Sequence, residues 1–124
     1  MSKRVLIVTG DGAEVLEVYY PYFRVREEGY EAVIASPKRK TLHTVCHDFV
    51  EGWDTYTEKP AHLLPSDAAF ADVDPAEFDA LIIPGGRAPE FIRNDPDLRA
   101  SSATSWKPTS RSARSATARR CSSR

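Results

Sequence analysis

A chain of 124 residues that is 41% hydrophobic and 28% charged has room for one domain with a single core. It holds no apolar run near the roughly 20 residues needed to cross a bilayer, so no membrane-embedded function is expected. Its two cysteines, Cys46 and Cys121, lie too far apart to suggest a disulfide framework and fit a reducing, cytoplasmic setting. The formal charge of −1 hides two unlike parts. All 18 acidic residues lie between Asp11 and Asp97, whereas the 24 residues from Ser101 to Arg124 hold six Lys/Arg, eight Ser and no acid. The body is therefore strongly acidic and the tail basic. Met1-Ser2-Lys3-Arg4 runs straight into a strand pattern, so no leader peptide is expected.

In chain order, Val5-Leu6-Ile7-Val8 is an unbroken branched apolar run, the pattern of a strand covered on both faces in a parallel sheet. Gly10-Asp11-Gly12 turns the chain, and Asp11 with Glu14 resembles a capping box. From Ala13, Leu16, Tyr19, Tyr20 and Phe23 recur at helical spacing until Gly29, with Pro21 expected to kink or split the helix. Glu31 to Ala35 reads as a second strand closed by Ser36-Pro37, which completes a β-α-β unit with a right-handed crossover. Thr41 to Val50 alternates weakly and suits a strand or hairpin. Gly52 to Pro65 is polar, aromatic and interrupted by Pro60 and Pro65, which predicts an ordered loop. Ala80-Leu81-Ile82-Ile83 is a further buried strand ending at Pro84-Gly85-Gly86, followed by a helix over Pro89 to Ile92 and another starting at Asp95-Pro96.

Ligands of open α/β sheets gather at the carboxyl ends of the strands, which selects Gly10 to Glu17 and Pro84 to Arg87. Glu14 and Glu17, three apart, share a helix face near an amino end that favours carboxylates. On spacing alone, most such pairs are solvated first-turn acids. Pro84-Gly85-Gly86 after a strand offers backbone N–H groups with no side chain in the way, suited to an oxyanion or simply to a tight turn. Gly10-x-Gly12 has the start of a dinucleotide fingerprint, but Val15 stands at the third glycine position and Glu14 would oppose a pyrophosphate. Lys38-Arg39-Lys40 could in principle meet a ribose phosphate. His43, Cys46, His47 and His62 do not make a zinc pattern, and neither a metal nor a cofactor is expected.

Taken together, Val5 to Thr9, Gly12 to Glu17, Tyr20-Pro21, Glu27 to Glu31 and Phe78 to Glu90 resemble the DJ-1/ThiJ/PfpI superfamily, which is similar to class I glutamine amidotransferases. The likeness runs from residue 3 to about 99. It implies a flavodoxin-like, three-layer α/β fold with a parallel sheet and a cysteine on a strand-to-helix turn, usually within A-x-C-H-G. It further implies that Glu17 hydrogen-bonds that cysteine, that Glu14 is a supporting acid, and that Gly85 and Gly86 give oxyanion-type donors. Peptidase, glyoxalase, deglycase, chaperone and stress-response activities all occur in such proteins. A small-molecule or peptide substrate and a homo-oligomer are therefore the expectations for an intact member, without a nucleic-acid partner.

The sequence departs from that pattern at about Ala100. A-x-C-H-G is absent, Cys46-His47 is followed by Asp48 on a strand pattern, and Cys121 sits in a Ser/Arg/Ala tract. Codons for Ala100 through Ser110 can be chosen so that, read one base out of register, they spell I-V-R-H-F-L-E-T-D-K. Those available to Arg111 through Ser123 permit P-L-G-A-V-C-H-G-P-Q-V-L-I. Residues 1–99 therefore read as the amino-terminal part of the domain, and 100–124 as a frame-shifted, disordered basic tail. The expectation is a truncated, catalytically inactive chain. Two rivals are a phosphate- or nucleotide-binding α/β module without catalysis, and a basic disordered arm that binds nucleic acid or an acidic partner through phosphate contacts.

Overall fold

The computed structural model describes residues 3–104. Strand β1 (Arg4–Val8) leads through a short loop into helix α1 (Val15–Glu27), and β2 (Glu31–Ser36) returns parallel to β1, with Val5 beside Ala32 and Ile7 beside Ile34. Then come β3 (Thr41–Phe49), β4 (Tyr56–Pro65), the two-residue β5 (Ala68–Ala69), β6 (Ala80–Ile82), α2 (Ala88–Ile92) and α3 (Pro96–Thr104). The parallel sheet has the order β5-β2-β1-β6. Strands β3 and β4 form a separate antiparallel pair.

The unbroken apolar run of β1 is explained by cover on both sides. Ile7 packs with Val18 of α1, Ile34, Leu42 and Leu64 on one face. Leu6 and Val8 pack with Ala35, Phe70 and Ile92 on the other, where Leu98 of α3 also lies. These contacts make three layers with β1 at the centre, and together they bury most of the large apolar side chains of the core. Strand β6 is an edge of the sheet, so Ala80 to Ile82 are only partly buried and Ile83 is 49% exposed; the fully buried strand expected there is corrected.

Three other local expectations change. Glu14, not Asp11, caps α1, while Asp11 reaches back to the neck of the β3–β4 hairpin. Helix α1 continues through Pro21 as one element; the proline removes only the donor that would have served Glu17, and packing of the helix on β1 to β3 holds the rest. The side of α1 turned inward carries Val15, Val18, Tyr19 and Tyr22, leaving Leu16, Tyr20 and Phe23 outside. Apolar residues occupy both sides of this helix, so helical spacing does not choose between them.

The stretch expected to be an ordered loop, 52–65, is mostly β4. Strand β4 pairs only with β3 and keeps its outer edge open, which tolerates residues without a donor, so Pro60 sits in the ladder opposite Val45, next to a register shift after His43. At the other end of the chain, the Asp95 carboxylate accepts hydrogen bonds from the Asp97 and Leu98 N–H groups at the start of α3. That helix runs on past Ala100 to Thr104, across the position where the composition changes. Cys121 and the remainder of the basic tail lie outside the described residues.

Candidate functional site

Two connections meet at the carboxyl ends of β1 and β6: residues 9–14 and residues 83–87. They are joined by paired backbone hydrogen bonds, Arg87 N–H to the Gly12 carbonyl at 2.9 Å and Glu14 N–H to the Gly85 carbonyl at 3.3 Å. Gly86 lies at φ +86°, and a Cβ there would stand 2.5 Å from both the Glu14 nitrogen and the Gly12 oxygen. Only glycine permits both that dihedral and that approach.

This junction brings together the four residues singled out in the sequence. Glu14 is 8% exposed, and its carboxylate accepts the Glu17 N–H at 2.9 Å, satisfying one of the free donors of the helix start. One turn on, Glu17 is solvent-facing, with its carboxylate against the Cα side of Gly85, where any side chain would overlap its Oε2. The sequence spacing placed both acids on one helix face; the structure divides their tasks. Glu14 builds the turn, and Glu17 presents an acid at the sheet rim beside two glycines.

Gly12 is less available than a phosphate-binding glycine needs to be. Its N–H donates to the His43 carbonyl and its own carbonyl is taken by Arg87. Lys40 pairs with Asp11. Partial burial alone would raise the Asp11 carboxyl, but the hydrogen bond from Lys40, the backbone N–H of His43 and the lysine charge outweigh it and hold the group below its ordinary value. No group of three or more potential metal-binding side chains occurs among the described residues.

The sequence did not bring together a further polar group, in which Glu58 links His47 and Arg87. His47 and Glu58 face one another across the hairpin, and Glu58 reaches Arg87 of the glycine turn in a two-pronged pair, Nε to Oε1 at 2.9 Å and Nη2 to Oε2 at 2.9 Å. The His47 ring stacks on Tyr56 with centroids 4.1 Å apart. A turn centred at Gly52-Trp53 would have predicted the His47–Glu58 juxtaposition by counting outward, had Gly52 to Pro65 been recognised as a strand. Cys46 points to the opposite side of the ribbon at mid-strand, paired in register with Lys59, its thiol directed to the His47 carbonyl.

The DJ-1/PfpI family profile matches residues 3–108. The chain belongs to the DJ-1/PfpI family. Deglycase TK1284 of Thermococcus kodakarensis is 43% identical over 90 residues, covering 73% of this chain and 46% of its own length. Protein DJ-1 homolog D of Arabidopsis thaliana is 39% identical over 94 residues, covering 73% of this chain and 24% of its own. Among solved structures, oxidized Toxoplasma gondii DJ-1 superposes with a TM-score of 0.62 at 21% identity, over 82% of this chain and 48% of that one. A two-domain protein of Anabaena variabilis with DJ-1/ThiJ/PfpI-like and ferritin-like domains gives a TM-score of 0.62 at 22% identity, over 82% and 26%. These two structures support the flavodoxin-like α/β fold. The chain spans about half the length of the deglycase it matches. Among the described residues, no helix of this DJ-1/PfpI protein is long and apolar enough to cross a membrane.

Proposed function

We propose that this chain carries the acid and glycine-turn half of a cysteine-dependent site of the peptidase, glyoxalase or deglycase type, and that as written it has no turnover because the nucleophile is missing. The observation that supports this best is the seating of the Glu17 carboxylate against Gly85 at the sheet rim. A thiol brought to the same rim would find an acid with which to exchange a hydrogen bond. It would also find the Gly85 and Gly86 backbone N–H groups as donors for negative charge developing on a substrate oxygen. Cys46, the free cysteine among the described residues, belongs to an extended strand and not to a strand-to-helix elbow. The name deglycase carried by related proteins favours a small-molecule substrate; the same reading extends to a peptide substrate and makes the intact protein a cytoplasmic, stress-responsive homo-oligomer.

We also propose that residues 100–124 are translated in a shifted frame and that the coding sequence holds A-V-C-H-G one base away. Sequencing the nucleic acid around the Arg99 and Ala100 codons tests this directly; an intact frame with unrelated codons rejects it. For the functional reading, the purified 124-residue chain is expected to leave a reactive dicarbonyl and a fluorogenic peptide unchanged. The chain with its frame restored should gain thiol-dependent turnover that Glu17→Gln lowers by about 10²- to 10⁴-fold, the usual contribution of a positioned acid or base. Robust activity of the 124-residue chain that survives replacement of Cys46 and Cys121 would refute the proposal.

A further inference from the structure

The hairpin is a separate two-stranded sheet, yet it touches both halves of the rim. At residues 9–14 it is held by the backbone: Gly12 N–H to the His43 carbonyl, Val45 N–H to the Ala13 carbonyl, and a bridge between Glu14 and Val45. At the glycine turn the side-chain link is Glu58 with Arg87. The Glu58 side chain is only 22% exposed, whereas that of Arg87 is 55% exposed and also lies over the Phe91 ring. A mostly sheltered carboxylate on the ribbon therefore grips the more exposed partner, and bidentate geometry fixes the direction of that grip.

His47 adds an unusual feature. Its Nε2 is buried and has no hydrogen-bond partner among the described residues, although Glu58 Oε1 is 3.4 Å away. A buried polar nitrogen without a partner is costly and calls for a physical reason. Protonation would supply one, since a charged imidazole donates from both nitrogens. The Oε1 it would approach is the atom already accepting from Arg87 Nε.

We propose that Glu58 is a positioning residue for the Gly85–Gly86 turn, acting through Arg87, and that His47 is its competitor: the imidazole, when protonated, takes a share of the same carboxylate and loosens the turn. The charges around His47 set the direction. Glu58 and Tyr56 face it from β4, Arg87 lies beyond Glu58 from the glycine turn, Glu14 is committed to the Glu17 N–H, and Asp48 and Cys46 flank it in sequence, with Asp48 turned to Lys59. Protonated His47 brings a second positive charge toward Arg87 while drawing on the one carboxylate between them. The half-exposed arginine is then the member free to leave for water.

The inference rests on Gly85 and Gly86 being part of the site, but its test needs no turnover. In the isotopically labelled 124-residue chain, the Gly86 and Arg87 amide resonances should shift with pH at the same midpoint as the His47 ring proton. His47→Asn should abolish that pH dependence and leave the neutral-pH resonances nearly in place. Glu58→Gln should uncouple the turn from the ring, and Glu58→Asp should restore part of the coupling, which a merely structural loss would not do. In Arg87→Ala, altered at a half-exposed position and so expected to fold, the His47 midpoint should move to higher pH because coupling is reciprocal. Turn amides that titrate independently of His47, or a His47 midpoint unchanged in Arg87→Ala, would overturn the proposal. Cysteine-independent turnover by the chain would overturn the functional reading alone.

Discussion

The parallel sheet and the β3–β4 hairpin reach order by different means. In β1 every residue from Val5 to Val8 is buried, and Ile7 and Ile34 are within 2% of complete burial, so this region depends on apolar contact from both faces. The hairpin buries Leu42, Thr44 and Leu64 at its neck and leaves Phe49, Trp53 and Tyr56 exposed toward its turn. Its outer part is held by the backbone ladder and by ion pairs such as Lys59 with Asp48. A region held by burial is specified residue by residue. A region held by pairing depends on partners distant in sequence, and it can carry polar side chains to the rim at little structural cost.

The contrast predicts a graded response to substitution. Ile7→Ala is expected to lower unfolding free energy by about 3–4 kcal/mol, the range for a well-packed core aliphatic, read from the urea midpoint; a loss below about 1 kcal/mol would mean that the sheet is not the chief source of stability. Next in size is Gly86→Ala, with a loss of about 2–3 kcal/mol from positive φ and backbone overlap. If that variant were as stable as the parent, the joined rim loops would be far looser than their hydrogen bonds indicate.

Smaller effects probe the hairpin. Because Asp11 is held below its ordinary value of 3.8, it binds a proton less readily when folded than when unfolded. Its contribution is therefore complete above that value and disappears as pH falls through the lower folded value. The stability gap between parent and Asp11→Asn should stay below about 1 kcal/mol at neutral pH, since both partners are half exposed, and close in acid. A gap that widens in acid would reverse the assigned sign. Smallest of all, Trp53→Ser at the exposed turn should change stability by no more than about 0.5 kcal/mol. A larger loss would show the hairpin tip to be packed.

What could be read from the sequence follows the same division. Val5 to Val8, Glu31 to Ala35 and the glycine stop at Gly29 were legible because strand runs and helix ends are local signals. Strand β4 was not, since Pro60 and Pro65 look like loop punctuation until the open edge of a two-stranded ribbon is known. The motifs located Glu17 and Gly85, but their contact spans 68 positions and no periodicity encodes it. Glu58 with Arg87 is a contact of the same kind, 29 residues apart. That Glu14 is the acid that caps the helix became visible only with the hydrogen bond from the Glu17 N–H to its carboxylate.

The paired bonds between residues 12–14 and 85–87 also constrain how such a sequence can drift. A side chain at position 86 meets main-chain atoms of the first loop, and main chain cannot be substituted away. Insertions or deletions in either loop would have to be matched by a rearrangement of the other. Two segments far apart in the chain therefore form a single unit of inheritance: a graft that moves Gly12 to Glu17 into another scaffold has to bring Gly85 to Arg87 with it.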